Sequence, residues 1–249
     1  MTRPIIIGNW KMNTTRIEAQ ELAHAVTNSL SAIETAEVVL CPPFIHLNLV
    51  QTIVHNTNLK LGAQNVHQSL TGAFTGEISP LMLAEVCEYV IVGHSERRTF
   101  FNESDELINQ KMISSIQAGL KVILCVGESE EERNAGQTEP VLTRQIERGA
   151  ANASDPSKLL IAYEPLWAIG SGISATPDVA KATMDSVIRP ALHRNFGGAS
   201  ASMISLLYGG SVTPTNISEF LQNGYIQGAL VGGASLKAES FIEIVRQTQ

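Results

Sequence analysis

Apolar residues fall into eight short runs along this chain, at residues 4–8, 38–41, 59–63, 89–92, 121–126, 159–162, 204–208 and 228–231. Most of the runs are continuously apolar rather than alternating, which is the pattern of strands covered on both faces. Between them the spacing lengthens to that of helices. Ser104, followed by Asp105 and Glu106, leads into Ile108, Met112, Ile113 and Ile116 and stops at Gly119, which predicts a capped amphipathic helix. Thr176, Pro177 and Asp178 open another that runs towards Asn195, and residues 239–246 end the chain with one more. Strand and helix alternate strictly, so the sheet is expected to be parallel. Eight such units are the number that closes a (β/α)8 barrel, whereas open doubly wound sheets more often use five or six. The predicted fold class is therefore α/β, a closed barrel of eight parallel strands ringed by helices. No linker, low-complexity segment or charge block divides residues 1–249, which predicts a single domain.

Composition narrows the functional classes. The chain is 44% hydrophobic and 16% charged, enough for a large core, and only 5% aromatic, which leaves the packing to aliphatic residues. The net charge is −7 and no stretch concentrates Lys or Arg, so nucleic acid is not an expected partner. Ile5, Ile6 and Ile7 form an apolar run too short for a signal-peptide core. No segment approaches the ~20 apolar residues of a membrane span. Cys41, Cys87 and Cys125 are odd in number, far apart and set among apolar residues, as buried reduced thiols in a reducing compartment would be. A cytoplasmic protein without a membrane partner is the expectation.

In a barrel of this kind the chemistry sits on the loops that leave the C-terminal strand ends. Asn9 and Lys11 follow the first run, two residues apart and on one face if the strand persists. His94, Ser95 and Glu96 follow the fourth, Glu164 the sixth, Gly209, Gly210 and Ser211 the seventh, and Gly232 and Gly233 the eighth. A carboxylate at a mouth screened from water is a candidate general base. An imidazole polarises a neighbouring oxygen, and an ammonium stabilises developing negative charge. Paired glycines expose backbone N–H groups that bind phosphate, and the ends of strands seven and eight are a frequent phosphate site in such barrels. Base, electrophile, cation and phosphate cradle together describe proton transfer beside a carbonyl on a small phosphorylated substrate. From the residues alone, another phosphate-binding isomerase, an aldolase-like lyase and a silent binding barrel stay open. No GxxxxGK[ST], HExxH or CxxC motif is present, and neither a metal nor an organic cofactor is expected.

Five segments carry a family resemblance. Residues 8–11 (GNWK), Gln64 and Asn65 with residues 72–79, residues 93–98 (GHSERR), residues 162–170 and residues 208–212 resemble the triosephosphate isomerase family, in the right order. The resemblance implies a TIM barrel and cofactor-free interconversion of dihydroxyacetone phosphate and D-glyceraldehyde 3-phosphate in glycolysis and gluconeogenesis. It implies Glu164 as the base, His94 as a neutral electrophile kept so by a helix starting near Ser95, and Lys11 and Asn9 as electrostatic stabilisers. Backbone groups of Gly170, Ser211, Gly232 and Gly233 would hold the phosphate, and Glu96 would support Lys11. Residues 165–176 would form a closing lid latched by Tyr208 and Ser211. Residues 64–79 would form a dimerisation loop in which Thr75 reaches the neighbour's Asn9 and Lys11 region, giving a homodimer. One departure stands out: the family's usual lysine in the lid tip is Ile173 here.

Overall fold

A computed structural model describes residues 3–168, 175–222 and 224–248. Eight strands close into a parallel barrel in sequential order: β1 (Ile5–Asn9), β2 (Glu37–Cys41), β3 (Lys60–Ala63), β4 (Tyr89–Val92), β5 (Lys121–Val126), β6 (Leu159–Tyr163), β7 (Ser205–Tyr208) and β8 (Gly228–Val231). Closure is completed by the pairing of β1 with β8, in register from Ile5 opposite Gly228 to Gly8 opposite Val231. The fold class is the one the apolar runs predict, most strand limits coincide with those of the runs, and the others differ by a single residue.

The outer ring consists of α1 (Arg16–Leu30), α2 (Leu47–Val54), α3 (Pro80–Ala84), α4 (Ser95–Phe100), α5 (Asp105–Gln117), α6 (Glu130–Asn134), α7 (Thr138–Gly149), α8 (Pro177–Thr183), α9 (Arg189–Phe196), α10 (Gly198–Met203), α11 (Ile217–Leu221) and α12 (Ala238–Arg246). Their starts are fixed by side chains that satisfy free backbone donors. Ser104 accepts from Leu107 N at α5, Thr176 accepts from Val179 N at α8, and Thr15 forms a capping box with Glu18 at α1. Among the described residues no helix is long and apolar enough to cross a membrane.

The helix that opens at Thr176 does reach Phe196, but a π turn at Met184–Ile188 separates α8 from α9. Pro190 supplies the reason. Its ring would crowd the carbonyl four residues back in regular α geometry, and it has no N–H to donate. A wider turn, with Arg189 N bonded to Met184 O, gives the ring room beside that carbonyl.

Strand alternation divides the core in two. Ile7, Val39, Tyr89, Ile91, Ile123, Leu160, Leu207 and Leu230 fill the barrel lumen, while the opposite parity packs under the helices. At the N-terminal end of the lumen, the Tyr89 hydroxyl donates to the Glu37 carboxylate, and Lys121 Nζ donates to Tyr89 Oη at 2.9 Å. This polar plug lies at the opposite end of the barrel from the strand ends that carry candidate chemistry. Tyr89→Phe removes the hydroxyl that links Glu37 to Lys121, leaving Glu37 Oε1 only its 3.4 Å contact with Lys121 Nζ, and should cost about 1–3 kcal/mol of unfolding free energy. Urea titration should record that loss, while kcat/KM stays within about twofold of wild type because the plug is remote from the mouth.

Candidate active site

The parity that turns Leu160 and Ala162 into the lumen turns Glu164 inward as well, one layer higher, and that of Ile7 does the same for Asn9. The ladder continues past the end of β6, with Glu164 N donating to Val126 O at 2.7 Å and Gly209 N to Tyr163 O at 2.7 Å. Glu164 is therefore carried on sheet geometry rather than on a free loop. Glycine at position 209 makes the inward position usable, since a Cβ there would come within 2.8 Å of Glu164 Cγ.

The carboxylate of Glu164 is 2% exposed at the residue level and fully committed on the protein side. Oε1 lies 2.9 Å from His94 Nε2, and Oε2 accepts from the backbone N–H of Ser95 at 2.9 Å. The Ser95 amide is free because it lies in the first turn of α4, where backbone donors have no partner within the helix. Burial pushes the Glu164 carboxyl up, but His94, the Ser95 amide and the Lys11 charge outweigh it and hold the carboxyl below its ordinary pKa. His94 is the N-cap of α4, its Nδ1 facing the N–H of Glu96 at 3.3 Å. An Nδ1 in that role is an acceptor, which leaves the proton on Nε2, directed at Glu164. Burial disfavours the imidazolium, yet the adjacent Glu164 carboxylate raises the His94 pKa overall. The pair is bound together by one proton on its shared edge.

Lys11 reaches the same cavity for a different reason from the one its spacing suggests. β1 ends at Asn9, and Lys11 has left-handed backbone (φ 53°), so no extended strand carries both side chains on one face. Three contacts hold the unusual turn: Lys11 N donates to Asn9 Oδ1 at 3.0 Å, and Gln64 Nε2 donates to the carbonyls of Lys11 at 2.9 Å and Cys41 at 2.8 Å. The ammonium pairs with Glu96 Oε1 at 2.6 Å. Asn9, Lys11, His94, Glu164, Ser211, Gly232 and Gly233 together line a cavity of about 400 Å³.

The whole chain settles the relationship that these strand ends suggest. A family profile described as Triosephosphate isomerase matches residues 4–248. The chain belongs to the triosephosphate isomerase family. It is 51% identical over 247 residues to the triosephosphate isomerase of Dehalococcoides mccartyi strain CBDB1, covering 99% of this chain and 97% of that protein. It is 48% identical over 249 residues to that of Carboxydothermus hydrogenoformans, with 99% of each chain covered. The triosephosphate isomerase of Chloroflexus aurantiacus is 47% identical over 249 residues, covering 98% of this chain and 99% of that one.

Tyr208 and Thr75 are not among the residues that line this cavity. Gly170 and Ile173 lie outside the described residues, as do positions 169–174 of the expected lid. The flanks of that segment are described. Ser211 Oγ donates to Ala168 O at 2.8 Å, and the Trp167 indole donates to the buried Glu128 carboxylate at 2.9 Å. Tyr208 packs under the helices with its ring stacked on Phe220 at 4.1 Å. Burial pushes its phenol up to about 12, against the pull of the Ala175 backbone. Thr75 is exposed within the segment 64–79, which folds back on itself through His67 N to Ile78 O at 2.8 Å. The Ser95 amide as a partner of Glu164 and Gln64 as a brace for Lys11 were not expected, and Gly209, expected as part of a phosphate-binding glycine pair, also makes room for the Glu164 side chain. Gly209→Ala should push the Glu164 side chain off its position and lower kcat about tenfold or more. Steady-state kinetics on protein with an unchanged circular-dichroism spectrum will measure that loss.

Proposed function

We propose that Glu164 is the base with which this triosephosphate isomerase interconverts dihydroxyacetone phosphate and D-glyceraldehyde 3-phosphate. The observation that carries the reading is a buried carboxylate held 2.9 Å from His94 Nε2 in a cavity that Lys11 also lines. Glu164 removes a proton from C1 of dihydroxyacetone phosphate, and the electron pair of that bond moves towards the C2 oxygen. The His94 Nε2–H and the Lys11 ammonium stabilise the resulting enediolate charge, with the Asn9 amide alongside. Glu164 returns its proton to C2 while the O1 hydroxyl proton passes through His94 to O2, which leaves the aldehyde at C1. Backbone N–H groups of Ser211, Gly232 and Gly233, joined by Gly170, receive the phosphate. Glu96 positions Lys11 through the 2.6 Å ion pair, and no cofactor takes part. Tyr208 and Ser211 anchor the two flanks of the lid. Glu164→Asp withdraws the carboxylate by one methylene and should lower kcat about 100-fold. A coupled assay in both directions checks this, and equal rates for the two proteins would remove Glu164 from the role.

The chain is further read as a single domain that works as a homodimer in the cytoplasm. A groove of about 870 Å³ beside the active site, lined by Lys11, Met12, Phe44, Gln64, Phe100 and Phe101 among others, supports the dimer. Met12 is 97% exposed and Phe100 73%, an apolar surface that calls for cover. The tip of the segment 64–79, with Thr75, is the natural occupant from a second copy. The free, buried thiols of Cys41, Cys87 and Cys125 agree with a reducing compartment. Thr75→Arg should yield a monomer in sedimentation velocity, with activity well below that of the wild-type dimer.

A further inference from the structure

At the mouth of the barrel, β5 loses one of its two neighbours before its partner on the other side. The last register pair between β4 and β5 is Val92 with Leu124, after which Gly93 (φ 71°) turns the chain away towards α4. On the other side the ladder runs on. Tyr163 pairs with Val126, Glu164 N bonds Val126 O, and Leu166 N bonds Glu128 O at 3.1 Å. Residues 125–127 are thus paired towards β6 and stripped towards β4, at the level of Glu164. Unpaired backbone groups in a buried place are costly, so something must stand in for the missing strand.

Two side chains do so. Arg98 donates to Gly93 O at 2.9 Å and to Cys125 O at 3.1 Å. Gln145, on α7 and 5% exposed, takes the next position. Its Oε1 accepts from Gly127 N at 2.8 Å, and its Nε2 donates to Gly127 O at 3.0 Å. One carboxamide thus satisfies both backbone groups of a single residue, as an adjacent strand would. Gly127 in turn abuts the main chain of the base: a Cβ built there would lie 1.7 Å from Glu164 O. No slack separates the two segments, so where Gly127 is held, Glu164 is held.

We propose that Gln145 is a positioning residue of the isomerase reaction, fixing through Gly127 the main chain that aims the Glu164 carboxylate. It touches neither substrate nor reacting atoms and acts only through Glu164, so the inference rests on the reading of Glu164 as the base. A side chain that merely stabilised the fold would affect unfolding and leave turnover alone. Here a shifted main chain moves the carboxylate away from His94 and the Ser95 amide.

Gln145→Leu keeps the volume and removes both hydrogen bonds. Its kcat is expected to fall about tenfold or more, with KM within about twofold. The acid limb of its kcat/KM profile should move to higher pH, because Glu164 loses the contacts that offset its burial. Wild-type kcat and an unmoved acid limb would overturn the proposal, even with a lowered Tm. Should that protein fail to fold, Gln145→Glu serves. Its protonated carboxyl still donates to Gly127 O and accepts from Gly127 N, while the ionised form has no donor. Its kcat relative to wild type should therefore rise as pH falls, and a ratio independent of pH would overturn the proposal. Glu164→Asp, alone and combined with Gln145→Leu, separates the two readings. If Glu164→Asp is crippled and Gln145→Leu is not, Gln145 alone is wrong. If Glu164→Asp is fully active, the base assignment is wrong and the inference built on it is overturned with it. If both are crippled, coupling through one carboxylate requires the second lesion to cost much less in the double variant than in wild type, and full additivity refutes it.

Discussion

Keeping a carboxylate charged where water is nearly absent sets the terms for the whole mouth of this barrel. An ionised side chain taken out of water loses several kcal/mol of hydration, and only close hydrogen-bond donors and nearby positive charge restore it. Glu164 is 2% exposed and has the Nε2 edge of His94, the Ser95 amide and the Lys11 charge for that purpose. Each supplier imposes a requirement on the chain. The amide is available only because α4 begins at Ser95, and α4 begins there because β4 ends at Val92 and Gly93 turns with positive φ. The early end of β4 then leaves β5 with an open edge. Architecture and electrostatics are, at this point, a single problem.

The same dependence runs through the cation. Lys11 occupies backbone conformations that non-glycine residues seldom adopt, and such strain persists only where the surroundings over-determine it. Asn9, Gln64 and Glu96 provide that restraint from β1, from the start of the segment 64–79 and from α4. Lys11 is therefore held directly at its main chain by side chains from elsewhere in the fold, and the Glu164 main chain abuts Gly127, which Gln145 holds in the same way. A site with this construction is stiff, and it gives His94 and Glu164 little freedom to drift from their 2.9 Å contact.

How much of this could be read from the residues depends on whether the feature has a side-chain signature. Strands covered on both faces leave continuous apolar runs, so all eight were legible to within a residue or so, and so was the closed barrel. Ser104 and Thr176 announced their helices because capping demands a short polar side chain. The π turn was not legible, since its cause is Pro190 within an otherwise periodic helix. Asn9 and Lys11 were brought to one cavity, but by a left-handed turn instead of the shared strand face that their spacing suggests. The Ser95 amide, which any residue would offer, leaves no trace in composition. Gln145 lies on a helix face amid ordinary residues, and its partner Gly127 is only one of 19 glycines, so nothing but geometry joins them.

The π turn at Met184–Ile188 has a consequence for angular phase. A π turn uses more residues per revolution than an α turn, so it sets how far α8 is rotated relative to α9 about their common direction. Winding the same five residues as regular α-helix would add about one residue's worth of rotation and turn everything on the N-terminal side by about 100°. What lies on that side is Thr176, the cap of α8, and Ala175, whose backbone faces the Tyr208 phenol. The helix thus works as an indexing pin: the winding of one irregular turn decides which way Ala175 and Thr176 face where they meet the barrel.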